Sequence, residues 1–197
     1  MFKRLFDIAF AFLFLLVLSP LMVFIALWVT MDSRGGVFFF QERVGKNSIP
    51  FHLMKFRTMR PHSEQFGQIT VGAKDPRITS AGAWLRKYKM DELPQLFNIL
   101  KGDMAVVGPR PEVPKYVKLY TPEQLRVLEV RPGLTDFASL EFFHENELLS
   151  KSPDPERTYV EEIMPVKLAL NLKYITEASL FTDLNIILLT IRAIFRG

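Results

Sequence analysis

The 197-residue chain contains no cysteine, which excludes disulfide bridges, zinc-thiolate sites and a thiol nucleophile and suits a reducing or cytosol-facing setting. Only three histidines occur, His52, His62 and His144, scattered rather than clustered at metal-ligand spacing. There is no Gly-x-Ser-x-Gly elbow, no Walker-type loop and no Gly-x-Gly-x-x-Gly fingerprint, which removes the common serine hydrolase, P-loop and Rossmann readings. Internal repeats and low-complexity segments are also missing. Neither sign of charge dominates, since 25 Lys and Arg stand against 21 Asp and Glu for a net +4. The apolar content of 49% is too high for disorder, and the length fits one functional body of about 100–200 residues.

What the chain does have is one long apolar run. From Leu5 to Met31 only Asp7, Ser19, Pro20 and Thr30 fall outside the hydrophobic set, a density like that of a transmembrane segment. Lys3 and Arg4 precede the run as in a secretory signal, but no Ala-x-Ala cleavage site follows it. Ser19-Pro20 divides it into halves of about 11 residues, each covering roughly 16 Å of a ~30 Å hydrocarbon core, so neither half crosses alone. Pro20 lacks one helical N–H and crowds the carbonyl four residues earlier, and the Ser19 hydroxyl is available to satisfy freed backbone. A kinked span stays open. Charge favours a helix-break-helix that enters and leaves by one leaflet, because Lys3 and Arg4 before the run and Arg34, Arg43 and Lys46 after it leave neither end preferentially external.

Residues 37–44 and 51–59 are aromatic and β-branched runs separated by Gly45-Lys-Asn-Ser48 and Ile49-Pro50, which predicts a β-hairpin. Residues 60–80 read as a long polar loop. Helices are expected over 81–88, 93–100, 121–129, 156–175 and 182–196, the last with Thr182 as N-cap. In that last helix Leu184, Ile187, Leu188, Ile191 and Phe195 repeat at helical spacing, with Arg192 and Arg196 towards its end. Core packing and a helix lying in the bilayer interface account equally well for the stripe.

The conspicuous chemical feature is Asp91-Glu92-Leu-Pro-Gln95, adjacent carboxylates before a helix with Arg86 and Lys87 close upstream. One reading is an N-cap Asp with a first-turn Glu. The other is a carboxylate pair holding hydrated Mg²⁺, or a carboxylate that attacks phosphorus directly. Cationic residues in stiff settings make the second worth pursuing. Lys55 and Arg57 lie two apart on one strand and project to the same face, Arg110 is clamped between Pro109 and Pro111, and Arg131 precedes Pro132. The arginine fork matches phosphate oxygens, and a stiff backbone reduces the ordering cost.

Asp75-Pro-Arg-Ile-Thr79, Gly82, Leu85-Arg86, Asp91-Glu-Leu-Pro-Gln95, Asn98, Lys101-Gly-Asp-Met104, Gly108-Pro-Arg-Pro111 and Arg131-Pro-Gly-Leu-Thr135 together strongly resemble the bacterial sugar transferase family, the monotopic phosphoglycosyl transferases. Phe40-Gln-Glu-Arg43-x-Gly45 and Lys55-Phe-Arg-Thr-Met59 are similar to that family's hairpin, and Ser19-Pro20 to its re-entrant helix break. The resemblance implies a helix-rich α+β fold: a re-entrant anchor over 1–34, and a cytoplasm-facing catalytic domain over 35–197 with a small β-hairpin and interfacial amphipathic helices around the site. It implies an enzyme at the cytoplasmic face of the bacterial inner membrane that moves a sugar 1-phosphate from a UDP-sugar to polyprenyl phosphate. Asp91 would be the nucleophile, Glu92 would complete the dyad, and Mg²⁺ would neutralise the diphosphate. Lys55, Arg57, Arg86, Arg110, Arg131 and Asp183 would take phosphate, nucleotide or structural roles. Expected partners are the donor, the lipid acceptor and membrane lipids, with room for a homodimer and for downstream glycosyltransferases; nucleic acid is not among them. No further apolar segment precedes the run, as in the family's minimal form.

The chain departs from the family after Thr135. Many relatives continue Gly-Leu-x-Gln-Val, whereas this chain has Asp136-Phe-Ala-Ser-Leu140-Glu-Phe-Phe-His-Glu-Asn-Glu147. That stretch is expected to bear on donor recognition or on the rim of the site. A non-catalytic membrane scaffold and a hydrolase of nucleotide sugars or lipid phosphates are the alternatives.

Overall fold

A computed structural model of the chain describes residues 2–61 and 75–196. Most of the expected polar loop, 62–74, lies outside the described residues. The whole apolar run forms one helix, α1 (Phe2–Asp32). Its 31 residues measure about 46 Å at 1.5 Å each, and by length and composition it could cross a membrane. Helical structure continues across Ser19-Pro20, so the break expected there is not an interruption of the helix. The missing Pro20 hydrogen bond is covered locally, because Ser19 Oγ donates to the Leu16 carbonyl at 2.9 Å, the acceptor four residues before Pro20.

Both ends of α1 are bonded to the body of the protein. At its start Lys3 pairs with Asp183, Arg4 donates to the carbonyls of Leu100 (3.2 Å) and Met104 (3.4 Å), and the Asp7 carboxylate accepts from the Val106 N–H at 3.0 Å. At its end the Arg57 guanidinium donates to the carbonyls of Val29 (3.3 Å), Ser33 (2.7 Å) and Arg34, satisfying acceptors that the last helical turn leaves open. Asp32 accepts from the Ala81 N–H at 2.9 Å. Between these anchorages Leu13, Leu16 and Val17 are 56%, 64% and 65% exposed. One face of α1 is nevertheless core: Ala11, Met22, Ile25 and Val29 are buried against the body.

The hairpin forms as the sequence predicts. Strands β1 (Phe38–Val44) and β2 (Pro50–Phe56) pair antiparallel, with Phe39 opposite Lys55 and Val44 opposite Pro50. Phe51 and Leu53 point inward, and Lys55 shares their face. Helices α2 (Ser80–Lys87) and α3 (Gln95–Lys101) follow, α2 N-capped by Thr79 and α3 ended by Gly102 in the left-handed region at φ 100°. Asn98, 1% exposed, ties α3 to the hairpin: Oδ1 accepts from the Met54 N–H at 3.0 Å, and Nδ2 donates to the His52 carbonyl at 2.8 Å and to Asp103 at 3.1 Å.

A second small sheet joins β3 (Ala105–Val107) in parallel to β4 (Gly133–Thr135), with α4 (Pro114–Val117) between them. Short helices α5 (Phe137–Glu141), α6 (Glu145–Ser150) and α7 (Pro155–Thr158) lead through a π turn (Tyr159–Ile163) into α8 (Met164–Glu177), and α9 (Leu180–Arg196) closes the chain.

Two expectations need correction. Residues 124–129 form a 3₁₀ turn rather than an α-helix; the Thr121–Gln124 capping pair is made (2.8 and 3.3 Å), but only Val127 is fully buried, too small an apolar face to hold several α turns. The N-cap of α9 is Ser179, whose Oγ accepts from the Thr182 N–H at 3.1 Å, and Thr182 sits inside the first turn. The α9 stripe is also resolved. Asp183, Ile186 and Ile187 face the core, while Leu188, Ile191 and Phe195 are 58%, 43% and 86% exposed, so most of the stripe points outward.

The β3–β4 crossing leaves no room for side chains. A Cβ on Gly133 would stand 2.1 Å from the Gly108 nitrogen, and one on Gly108 would stand 2.6 Å from the Arg131 carbonyl. Gly133→Ala is therefore expected to lose most folded protein in detergent, whereas Gly36→Ala, whose Cβ would meet nothing nearer than 3.7 Å, leaves yield unchanged; normal yield and Tm for the former would show that the crossing yields.

Candidate active site

Lys89 turns the chain after α2 with a left-handed backbone, φ 55°, and the 3₁₀ turn Met90–Glu92 presents the two carboxylates. They do not cap α3. Its N-cap position is Pro94, and no side chain bonds to its first amides, so the capping reading of Asp91-Glu92 is set aside.

The two carboxylates live differently. Glu92 is gripped from two sides: Lys55 Nζ donates to Oε1 at 3.0 Å, and Arg110 reaches Oε1 with one guanidinium nitrogen and Oε2 with the other at 3.2 Å. Among the described residues Asp91 accepts no hydrogen bond, although it is only 7% exposed and Lys55, Arg86 and Lys89 lie within electrostatic reach. Burial raises the Asp91 carboxyl above the ordinary carboxylate range, more than Lys55 lowers it. Burial acts on Glu92 too, but Arg110 and Lys55 together overcome it and hold that carboxyl well below the ordinary range. One carboxylate is thus locked and strongly acidic, the other buried, unclamped and more basic.

The two cations owe their positions to backbone. Lys55 is the next-to-last residue of β2, on the same face as Phe51 and Leu53. Arg110 follows the Gly108–Gly133 crossing, and its N–H is held by Asp136 Oδ2 at 3.1 Å. Asp136 is fully buried and also N-caps α5 through the Ser139 N–H at 2.7 Å. Arg86 Nε donates to Thr58 Oγ1 at 2.8 Å, and Thr58 in turn lies against Gly82, where a Cβ would meet the Thr58 carbonyl oxygen at 2.1 Å.

These residues line a cavity of about 750 Å³. Its polar lining includes Lys55, Arg86, Lys89, Asp91, Glu92 and Arg110, and its apolar lining includes Phe10, Phe14 and Leu18 of α1 and Ile187, Ile191 and Ile194 of α9. Phe143, Glu145 and Asn146, from the stretch that departs from the family pattern, also line it.

The candidates from the sequence therefore separate. Lys55, Arg86 and Arg110 converge on Asp91 and Glu92. Arg57 lies on the cavity wall, but its guanidinium is turned to the end of α1. Arg131 Nε donates to the Gly102 carbonyl at 2.8 Å at the end of α3. Asp183 binds Lys3 and accepts from the Tyr174 hydroxyl at 2.6 Å, fastening α1 to α8 and α9. Lys3 and Arg4 thus face the protein. Lys89 and Asp136 were not singled out by the sequence; Asp136 carries an N-cap signal in Asp136-x-x-Ser139, whereas Lys89 carries none.

A family model described as bacterial sugar transferase matches residues 1–197, and the chain belongs to that family. It is 36% identical to an undecaprenyl-phosphate glucose phosphotransferase of Komagataeibacter xylinus, over 96% of this chain and 35% of that protein. It is likewise 36% identical to a UDP-N-acetylgalactosamine-undecaprenyl-phosphate N-acetylgalactosaminephosphotransferase of Aeromonas hydrophila, over 99% of this chain and 44% of the relative. The exopolysaccharide production protein ExoY of Rhizobium meliloti (strain 1021) is 36% identical over 98% of this chain and 84% of its own length. The chain thus spans less than half of the first two relatives and most of the third.

The opposed carboxyl shifts give opposed stability effects. The folded protein binds the Asp91 proton more tightly than the unfolded chain, so the ionised form costs stability at neutral pH. Asp91→Asn is expected to raise Tm there by about 2–4 °C per kcal/mol, a gain that fades as pH falls through the raised folded value and is gone below the ordinary value near ~3.9. Glu92 contributes stability above its ordinary value that is lost as pH falls through its lowered folded value, so Glu92→Gln is expected to lower Tm at neutral pH. Thermal scans of the two variants moving in the same direction would overturn the assignment.

Proposed function

We propose that the protein is a phosphoglycosyl transferase that moves a sugar 1-phosphate from a UDP-sugar to polyprenyl phosphate at the cytoplasmic face of the bacterial inner membrane. One observation carries the reading: an unclamped buried carboxylate, Asp91, stands beside a locked one in a cavity lined by both cationic and apolar side chains. The relatives' names give the reaction class, a sugar phosphate transferred with undecaprenyl phosphate.

In the proposed reaction an Asp91 carboxylate oxygen attacks the phosphorus that carries the sugar. The bond from that phosphorus to the bridging oxygen breaks, UMP leaves with the electron pair, and a phosphosugar ester remains on Asp91. A polyprenyl phosphate oxygen then attacks the same phosphorus, the bond to Asp91 breaks, and the carboxylate is restored as polyprenyl-diphosphate-sugar departs. An anionic nucleophile is repelled by an anionic diphosphate, so positive charge must be in place beforehand. Arg86 and Lys89 line the cavity on the Asp91 side. Lys55 and Arg110, neutralised by Glu92, stay rigid and orient that pair. Glu92 acts as a brace: without it the two cations would be free to swing onto the diphosphate or onto Asp91 itself.

Mg²⁺ fits this donor set only where substrate completes it. Among the described residues no group of three metal-ligating side chains stands together, both Glu92 oxygens are engaged by Arg110, and Asp91 is the uncommitted carboxylate. Mg²⁺ commonly takes one or two carboxylates plus substrate phosphates, so Asp91, with Glu92 beside it, would hold the ion together with the diphosphate. The ion would supply charge neutralisation for the phosphoryl oxygens.

The apolar side chains that α1 and α9 give to the cavity suit a polyprenyl chain, with its phosphate directed towards Asp91. The exposed middle of α1 and the outward stripe of α9 suit burial in the same leaflet, and the two anchored ends of α1 support re-entry rather than crossing.

Two experiments test the reading. Intact-protein mass after incubation with Mg²⁺ and single UDP-sugars is expected to show a phosphosugar adduct that Asp91→Asn abolishes and EDTA suppresses; turnover with no adduct from any donor would sink the covalent scheme. Phe2→Cys and Met31→Cys, at positions that are each 85% exposed in this otherwise cysteine-free chain, are expected to be labelled from the same side of sealed vesicles. Opposite-side labelling would make α1 a span.

A further inference from the structure

Among the cations around Asp91, Lys55 and Arg110 are committed to Glu92, and Arg86 Nε is bonded to Thr58. Lys89 is held differently. Its Nζ lies over the Phe143 ring, 5.0 Å from the centroid, and among the described residues its side chain makes no hydrogen bond and no ion pair. Lysine and ring both line the main cavity, and the ammonium is within electrostatic reach of Asp91 and Glu92 alike. An ammonium on a ring face gives none of its N–H donors to an oxygen, so an arriving anion meets them uncommitted.

The backbone does not favour a lysine at 89. With φ 55° and ψ 20° it is in the left-handed region, which glycine or asparagine enters more easily than a residue with a long side chain. The turn alone gives no reason for lysine there; the cation is what the site gains.

The ring comes from another part of the chain. Phe143 lies in the turn between α5 and α6, with His144 edge-on beside it at 5.3 Å. It belongs to the 136–147 stretch in which this chain departs from the family pattern, and the same stretch begins with Asp136, which holds the Arg110 N–H at 3.1 Å. One segment therefore touches the reaction centre twice, through a bond to the backbone of Arg110 and through a ring under Lys89.

Lys89 stands two residues before Asp91. Without the ring, its flexible ammonium would be free to close on that buried carboxylate, as Lys55 has closed on Glu92, and the nucleophile of the proposed reaction would be clamped. On the ring, the cation is near enough to meet an incoming diphosphate and stays off the oxygen that has to attack. Attraction to a ring face at a half-buried site is weak enough to be exchanged for charge-assisted bonds to phosphate oxygens.

We propose that Phe143 is a positioning residue of the transfer reaction: its ring holds the Lys89 ammonium beside Asp91 without letting the two pair, and Lys89 passes to the diphosphate oxygens when the donor binds. The proposal rests on the transferase reading. It gives the 136–147 stretch a part in the phosphoryl step, separate from any contact with the sugar.

The test measures UMP release by the full chain in detergent with polyprenyl phosphate and, separately, UDP-glucose, UDP-galactose, UDP-N-acetylglucosamine and UDP-N-acetylgalactosamine, and continues with the donor that the wild type uses. Because the donor reacts before the acceptor in the proposed scheme, kcat/KM for the donor reports attack by Asp91. Lys89→Gln is expected to lower it about tenfold; Lys89→Gly, which suits the left-handed backbone, serves if the first variant does not fold. Phe143→Leu, apolar but without a ring face, is expected to lower it about two- to fivefold, and Phe143→Tyr to recover most of that loss. The decisive measurement is the double variant: in the Lys89→Gln background, Phe143→Leu should change kcat/KM by less than about 1.5-fold. No loss from Phe143→Leu, an equal loss with and without Lys89, or a loss that Phe143→Tyr does not recover would overturn the positioning role. Wild-type kcat/KM in Lys89→Gln would remove the cation from the reaction and the proposal with it. Failure of the wild type to release UMP from any of these donors would instead remove the transferase reading itself.

Discussion

The grip of Lys55 and Arg110 on Glu92 brings the charges of three separate parts of the chain to one point. Lys55 comes from the end of β2, Glu92 from the 3₁₀ turn after α2, and Arg110 from the loop after β3. A carboxylate buried this deeply is tolerated only because two cations compensate it, and the cations are tolerated only because of the carboxylate. The geometry is accordingly all or none. Asp91, next in chain to the locked residue, is fixed in place with no hydrogen bond from any of the described residues, a rigid mount for an unclamped carboxylate.

The backbone beneath that grip is equally constrained. Arg110 is aimed by the close crossing of Gly108 and Gly133, by flanking prolines, and by the fully buried Asp136 that holds its N–H. Arg86 is aimed by Thr58, whose backbone presses on Gly82. Glycine at these points is a matter of van der Waals radii. The motifs that looked like chemistry in the sequence are in good part the packing that chemistry requires, which is why Gly82, Gly108 and Gly133 sit among them.

Much of this was legible beforehand. The hairpin, α2, α3 and the long C-terminal helices follow from alternation, helical spacing and punctuation by Gly and Pro, all of which are local signals. Asp91 and Glu92 could be named as adjacent carboxylates before a helix, Arg86 as a cation close upstream, and Lys55 and Arg110 by their stiff settings. What could not be read was direction. Arg57 and Lys55 share one strand parity, yet only the place of α1 in space decides that Arg57 serves helix-end carbonyls and Lys55 serves Glu92. Lys3 and Arg4 look like headgroup ligands until Asp183 and the carbonyls of Leu100 and Met104 are found facing them, 96 to 180 residues away. The Thr182 cap was displaced by a nearer serine, and the short 124–129 helix tightened to 3₁₀ for want of a buried face.

Helix α1 is both hull and keel. Its inner face supplies Ala11, Met22, Ile25 and Val29 to the same cores that hold α3 and the hairpin, while its outer face is apolar and exposed. On the proposed membrane reading, solvation by lipid and folding are one linked equilibrium: whatever wets the outer face binds the folded state alone and shifts it by mass action, so lipid would act thermodynamically as a ligand of the whole protein. Trimming the first thirty residues would not leave the remaining fold intact, because the cut that removes the helix also opens the core.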